Sequence, residues 1–333
     1  MTKQKTIAVY AAGGCGVNIG SIIEEQIKRK QASGDNTVFA DIVIHYIDTS
    51  EANTKFRNLN ENIYLFDGVD GSGSVRTRNK DVISDSVPDI IIKHPPGDLN
   101  IVINSTGGGS GSVIGPMIAA HLLSNDKLVI CMATQTTGTI KQLTNTVSVL
   151  ATYEAIAKGK KKVLPLLLCD NGQESETNVN NTISNAVQML AILFSGKLER
   201  LDSADLEHWI NYNKVTTNPI GAVLLDIAYD VSNFPRDYVV CSVATLVNNP
   251  DTATSFPRIV EYQAIGLINS SSENEFASKA LHFALIDGPI QQAFETREKE
   301  LEEATNITAS RKARKSIVDN DKFKNKEGDF VFD

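Results

Sequence analysis

The run STGGGSGSV, residues 105–113, constrains this chain more than any other stretch, because it stands between the apolar segment Leu99 to Ile103 and the apolar-periodic segment Val113 to Leu123. That order reads as buried strand, glycine loop, helix. Glycine tolerates positive φ and lets backbone come close to a ligand, and the helix N-terminus behind it adds unpaired N–H groups and a favourable dipole. The combination suits an anion, above all a polyphosphate; the alternative is a plain Gly/Ser turn.

The same order recurs along the first half. Thr6 to Ala11, Ile42 to Ile47, Leu99 to Ile103, Leu128 to Ala133 and Val163 to Cys169 read as strands, and Val17 to Lys30, Asp81 to Lys93 and Val113 to Leu123 as helices. Strands alternating with helices predict an α/β fold around a doubly wound, mostly parallel sheet, with ligands at the carboxyl ends of its strands. Ala11 to Gly16, Asp48 to Asn53, Asn104 to Ser112, Thr134 to Gly138 and Asp170 to Gly172 leave that edge as loops. Further on, Val179, Ile183, Val187, Leu190 and Phe194 recur at helical spacing and predict a long helix over 178–197. Ile220 to Val231 then reads as a helix, and Asp237 to Val247, Arg258 to Leu267 and Leu281 to Ile286 as strands of a smaller α+β module punctuated at Asn248 to Pro250 and Phe256-Pro257. From Gly288, Glu295, Glu298, Glu302 and Glu303 precede Arg311, Lys312, Arg314 and Lys315, a charge order that complements a helix macrodipole.

Composition excludes several classes. A net charge of −8 disfavours direct nucleic-acid binding through phosphate neutralisation. Cys15, Cys131, Cys169 and Cys241 are scattered, which fits a reducing compartment, and the five histidines show no metal-ligand spacing, so no protein-built metal site is expected. No stretch has the length and apolarity of a bilayer span, so no membrane partner is expected.

The first glycine run, AAGGCGVNIG at 11–20, is near a dinucleotide fingerprint but carries Ile19 where the third glycine would stand, and no G-x-x-x-x-G-K-[ST] occurs anywhere. Two separated glycine loops are therefore expected to share a phosphate chain. Gly13, Gly14, Cys15 and Gly16 are placed at the α- and β-phosphates, and Gly107, Gly108, Gly109, Ser110 and Gly111 with Ser112 at the β- and γ-phosphates. Asn18, Asn171 and Asn180 are candidates for a guanine edge, since an amide offers donor and acceptor together; as alternatives, Asn18 and Asn180 cap or satisfy helices.

GGCGVNIG resembles the first nucleotide loop of tubulins, and GGGSGS resembles the glycine signature shared by tubulin and FtsZ, with Ser110 where threonine is usual. LDSADLEHW, residues 201–209, follows the long helix and is similar to the loop that carries the catalytic acids of that superfamily; Asp202 and Asp205 reproduce its acid-x-x-acid spacing. The short length, the DGVDGSGS run at 67–74 and the charged C-terminal segment are most similar to the tubulin homologues of large bacteriophages, the PhuZ and TubZ type.

That resemblance implies a GTP-binding domain at 1–177, a connecting helix at 178–200, the acid loop and second α+β domain at 201–287, a C-terminal helix at 288–318 and an acidic polar tail at 319–333. It implies a GTPase using GTP/GDP and Mg²⁺, with Asp48 and the turn Gly71-Ser72-Gly73 sensing the γ-phosphate and its magnesium, which rides mainly on phosphate oxygens. It further implies a head-to-tail homopolymer whose catalytic acids act on the next subunit's nucleotide, a tail that docks on neighbouring subunits, and a role in positioning or segregating phage DNA in the host bacterial cytoplasm. Read by itself, the acid pair also fits a helix start stabilised by its dipole. Two other functions compete: a nicotinamide-dependent dehydrogenase, suggested by the first strand, loop and Asp48, and a nucleotide-dependent scaffold that polymerises without hydrolysis.

Overall fold

Strand segments buried on both faces read as continuous apolar runs, and that is how the first strand is built. In β1 (Thr6–Ala12), Ile7, Val9 and Ala11 face one layer of helices while Ala8, Tyr10 and Ala12 face the other. Each large apolar side chain so buried contributes about 1.5–3 kcal/mol relative to exposure. The computed structural model describes residues 4–33, 39–55, 62–172, 174–235, 238–247, 260–268, 276 and 279–312.

Nine further strands join β1: β2 (Asp41–Asp48), β3 (Ile63–Leu65), β4 (Leu99–Ser105), β5 (Val129–Gln135), β6 (Leu164–Asp170), β7 (Ala222–Ala228), β8 (Val239–Val247), β9 (Tyr262–Ile268) and β10 (Leu281–Ile286). They form one 10-stranded sheet in the order β3-β2-β1-β4-β5-β6-β7-β10-β8-β9. All neighbouring pairs are parallel except those of β10, which runs against β7 and β8. The expected α/β class and mostly parallel sheet are therefore present. The sheet continues unbroken from β6 to β7 through the pairs Leu164↔Ala222 and Leu166↔Leu224.

The helices are α1 (Gly13–Ser33), α2 (Lys80–Lys93), α3 (Gly111–Ser124), α4 (Ile140–Lys160), α5 (Glu176–Leu193), α6 (Ser203–Ile210) and α7 (Pro289–Lys312). Buried residues of α1, α5 and α6 pack on one face of the sheet, and those of α2, α3, α4 and the start of α7 on the other. Among the described residues no helix is long and apolar enough to cross a membrane.

Several expectations need correction. The segment read as a helix at 220–231 is β7, because AVLLDIA finds strand partners on both sides, in β6 and β10. The helix α4 has no counterpart in the sequence reading, since its buried face mixes Leu143, Val149 and Tyr153 with Asn145 and Thr146 and so weakens the apolar period. The helix expected over 178–197 runs from Glu176, where Ser175 accepts from the Asn178 N–H, to Leu193, and Gly196 beyond it takes φ +69°. The first glycine run is not a loop, for β1 passes directly into α1 at Gly13. The punctuation at 248–250 and 256–257, residues 313–318 of the expected last helix and the tail at 319–333 lie outside the described residues.

Candidate functional site

The last residues of three adjacent strands, Ala12, Asp48 and Ser105, open onto a cavity of about 330 Å³ at the carboxyl edge of the sheet. Its floor is made where the start of α1 and the glycine loop after β4 meet backbone to backbone. Gly13 holds φ +71°, and a Cβ there would lie 2.6 Å from the Gly111 nitrogen, while a Cβ on Gly111 would lie 2.7 Å from the Ala12 carbonyl oxygen. No side chain fits at either position, so α1 and α3 bring their N-termini, with unpaired N–H groups and positive dipole ends, to one place. Gly14, Cys15, Gly108, Gly109 and Ser110 complete this wall. The Cys15 thiol lies 3.3 Å from the Thr134 hydroxyl, and burial pushes its pKa up to about 11, so it stays neutral and offers no charge to a ligand.

Gly71, Ser72 and Gly73 form the facing wall. The Ser110 hydroxyl sits 2.5 Å from that of Thr49 and 2.9 Å from that of Ser72, and the Asn79 amide donates to the Ser72 hydroxyl at 3.2 Å. Three loops are thereby tied at one cluster of hydroxyls. Asp48 is 1% exposed, and its carboxylate accepts from the N–H groups of Thr49 and Ser50 and from the Asn53 amide at 2.7, 3.3 and 2.7 Å. Burial raises its pKa and these donors oppose the rise. Both oxygens are thus engaged, and Asp48 organises the turn after β2. Among the described residues no group of three or more His, Cys, Asp or Glu could hold a metal ion. The hydroxyl and amide lining suits a hydrated Mg²⁺ held by phosphate oxygens.

The remaining expected binding residues stand off this cavity. Gly16 lets α1 press on β4, since a Cβ would meet the Ile103 oxygen at 2.6 Å, and at Gly107 a Cβ would lie 2.7 Å from the Thr136 oxygen. Ser112 is fully buried and donates to the Gly109 oxygen at 2.8 Å, which shapes the loop from within. Asn18 lies half-buried on α1 and Asn180 buried on α5. These helices both run back from the carboxyl edge and are joined by Gln188 donating to Gln26, with Asn18 as far ahead of Gln26 as Asn180 is of Gln188. The two amides therefore occupy one level of two parallel helices. Asn171 follows β6, donates its N–H to the Gln135 oxygen, and buries an Oδ1 that has no partner among the described residues. Ser50, Asn53 and Ser105 also line the cavity; the sequence reading places their loops at the ligand edge but assigns none of the three a binding role.

Asp202 and Asp205 lie elsewhere. Asp202 is the N-cap of α6: its Oδ1 accepts from the N–H groups of Ala204 and Asp205 at 2.8 and 3.0 Å, and Asp205 Oδ2 accepts from the Asp202 N–H at 3.0 Å. This capping box makes the helix-start reading true as local structure. The pair is not symmetrical, because Asp205 Oδ1 also accepts from the Tyr262 hydroxyl at 3.0 Å, whereas exposed Asp202 keeps Oδ2 clear of any such bond among the described residues. Asp202 borders a second cavity together with Lys5, Asp98 and Leu128, which precede β1, β4 and β5. The acid loop is therefore at the amino ends of the strands. The seven-residue β1 stands between the two ends, a separation of roughly 20 Å.

No family model matches the chain. It is 25% identical over 346 residues to a phage tubulin-like protein of Pseudomonas phage phiKZ, covering 100% of both chains. Among solved structures, a TubZ protofilament from bacteriophage PhiKZ matches with a TM-score of 0.81 at 24% identity, over 95% of this chain and 96% of that one. The phage tubulin PhuZ in its GDP form matches at 0.79 with 21% identity, over 95% and 96%. A point mutant of FtsZ from M. jannaschii matches at 0.62 with 16% identity, over 86% and 91%. With its one mixed sheet between two helical layers and its paired glycine turns, the chain has the tubulin/FtsZ-like fold. Within that class its likeness extends end to end along the phage tubulin-like protein of phiKZ.

Proposed function

We propose that this protein binds GTP in the 330 Å³ cavity, assembles head to tail, and hydrolyses the nucleotide with an acid supplied by the next subunit. One observation carries the reading. The cavity stands at the carboxyl ends of β1, β2 and β4, and Asp202 stands at the amino ends of the same sheet. The two cannot meet within one chain but do meet when the amino end of one subunit stacks on the carboxyl end of another. Such a heterologous contact does not close, so it propagates into a filament.

In the assembled contact, the unbonded Oδ2 of Asp202 orients a water and takes its proton as the oxygen attacks the γ-phosphorus. The bond from that phosphorus to the β–γ bridging oxygen breaks, and GDP and phosphate leave. N–H groups at the starts of α1 and α3 stabilise the charge on the phosphate oxygens, and Mg²⁺, when bound, neutralises it further. Asp205 positions Asp202 through the capping box and is itself held by Tyr262. The relatives support the reading: one solved neighbour is a protofilament and another is a GDP form. The phage kinship supports a role in positioning or segregating phage DNA within the host cytoplasm.

The test is steady-state phosphate release with light scattering. GTP turnover per subunit rises with protein concentration, and Asp202→Ala still binds GTP and forms filaments while turnover falls by about 10² or more. A specific rate independent of concentration, or unchanged turnover in Asp202→Ala, overturns the proposal.

A further inference from the structure

One buried amide joins the two loops that form opposite walls of the cavity. Asn145, in the second turn of α4, is 6% exposed, and its Nδ2 donates to the carbonyl oxygens of Ser74, Gly107 and Gly108 at 2.9, 3.0 and 3.1 Å. An amide NH₂ carries two hydrogens, so the three carbonyls share them. Asn145 does not itself line the cavity.

The trans peptide gives these bonds a consequence at the ligand. In a planar trans unit the N–H of one residue points opposite to the C=O of the residue before it. Holding the Gly107 and Gly108 carbonyls toward α4 therefore turns the N–H groups of Gly108 and Gly109 away from α4, and both of these residues are on the cavity wall. The third bond, to Ser74, reaches the segment just beyond the opposite wall at Gly71 to Gly73. Contact between the walls is already tight, since a Cβ on Gly109 would lie 2.5 Å from the Ser72 Cβ.

We infer that Asn145 is a positioning residue, which aims the signature-loop N–H groups at the phosphates and ties the 71–74 segment to that loop, so that the γ-phosphate is felt by both walls together. The inference rests on the reading of the cavity as a GTP site. It assigns to α4 the discrimination of GTP from GDP.

Asn145→Asp keeps the shape and removes both donors, placing a carboxylate against three carbonyl oxygens. Asn145→Ser retains one donor on a shorter side chain. Binding of fluorescent GTP and GDP analogues to each full-length protein reads the ratio of the two affinities, which a general loss of stability does not change. The GTP-to-GDP affinity ratio falls by about tenfold in Asn145→Asp, the size of one unmet buried hydrogen bond, and by less in Asn145→Ser; should the aspartate variant not fold, a ratio lowered in Asn145→Ser supports the inference. Ratios equal to wild type in both variants, or in Asn145→Ser alone when only it folds, overturn the inference and leave the GTP reading standing. Wild-type protein that binds neither nucleotide overturns the GTP reading, and the inference falls with it.

Discussion

Asp202 and Asp205 share one capping box yet have different freedom, for Asp205 spends both oxygens on the Asp202 N–H and the Tyr262 hydroxyl while Asp202 keeps one for a ligand from outside. Spacing alone could mark the pair, but only the fold separates their roles. The glycines were more legible, because at Gly13 and Gly111 the need for a missing Cβ is written in the residue itself. Asn145 and Tyr262 were not, since each acts through contacts far away in sequence. The same holds for His45 and His94, whose buried rings lie 4.8 Å apart beside Tyr10. Burial, and then the neighbouring His94, pushes His45 down to about 4, and burial with nearby Lys93 lowers His94. The folded protein thus takes up these protons less readily than the unfolded chain, whose histidines titrate near 6.5. Their contribution to stability is complete above that unfolded value and is lost as pH falls toward 4. Urea unfolding at about pH 7 and about pH 5 should differ by roughly 2 kcal/mol from His45 alone, and His45→Phe should flatten that dependence; an unchanged slope would contradict the assignment.

Among the elements, α7 is fixed to the edge that holds the cavity. Arg297 donates Nε to Gln135 at 3.0 Å, pairs with Asp170, and holds Glu300 on its own helix at 2.7 Å. Gln135 and Asp170 are the last residues of β5 and β6. Replacing Arg297 with Met leaves Asp170 without its cation, at a cost of about 1–3 kcal/mol; thermal unfolding should show the loss, and the added change Asp170→Asn should recover part of it, as expected for groups in direct contact. Additive losses would contradict the pairing. Element type followed the apolar pattern where strands and helices alternate cleanly. It failed at β7, where a short apolar run broken by Asp226 is ambiguous until β6 and β10 are seen beside it, and at α4, whose inner face includes polar Asn145 and Thr146 that bond to the glycine loop and its neighbours.

At the scale of the whole molecule, the parallel sheet is the decisive device, since it places everything that follows a strand at one end and everything that precedes a strand at the other. The glycine-rich start of α1 follows β1 and the glycine loop follows β4, and the acid loop shares its cavity with residues that precede β1, β4 and β5. The sequence carries both motifs but not the distance between them; that emerges once the sheet order is known. A mixture of two inactive variants tests completion of the site between subunits most directly. Asp202→Ala keeps a sound cavity and lacks the acid, whereas Gly109→Val drives a side chain into Ser72 and Ser74 across the cavity and keeps the acid. Neither hydrolyses GTP alone. Turnover should return when the two are combined, because the acid loop of the valine variant then meets the nucleotide held by the alanine variant; a mixture as inactive as its components would contradict the account.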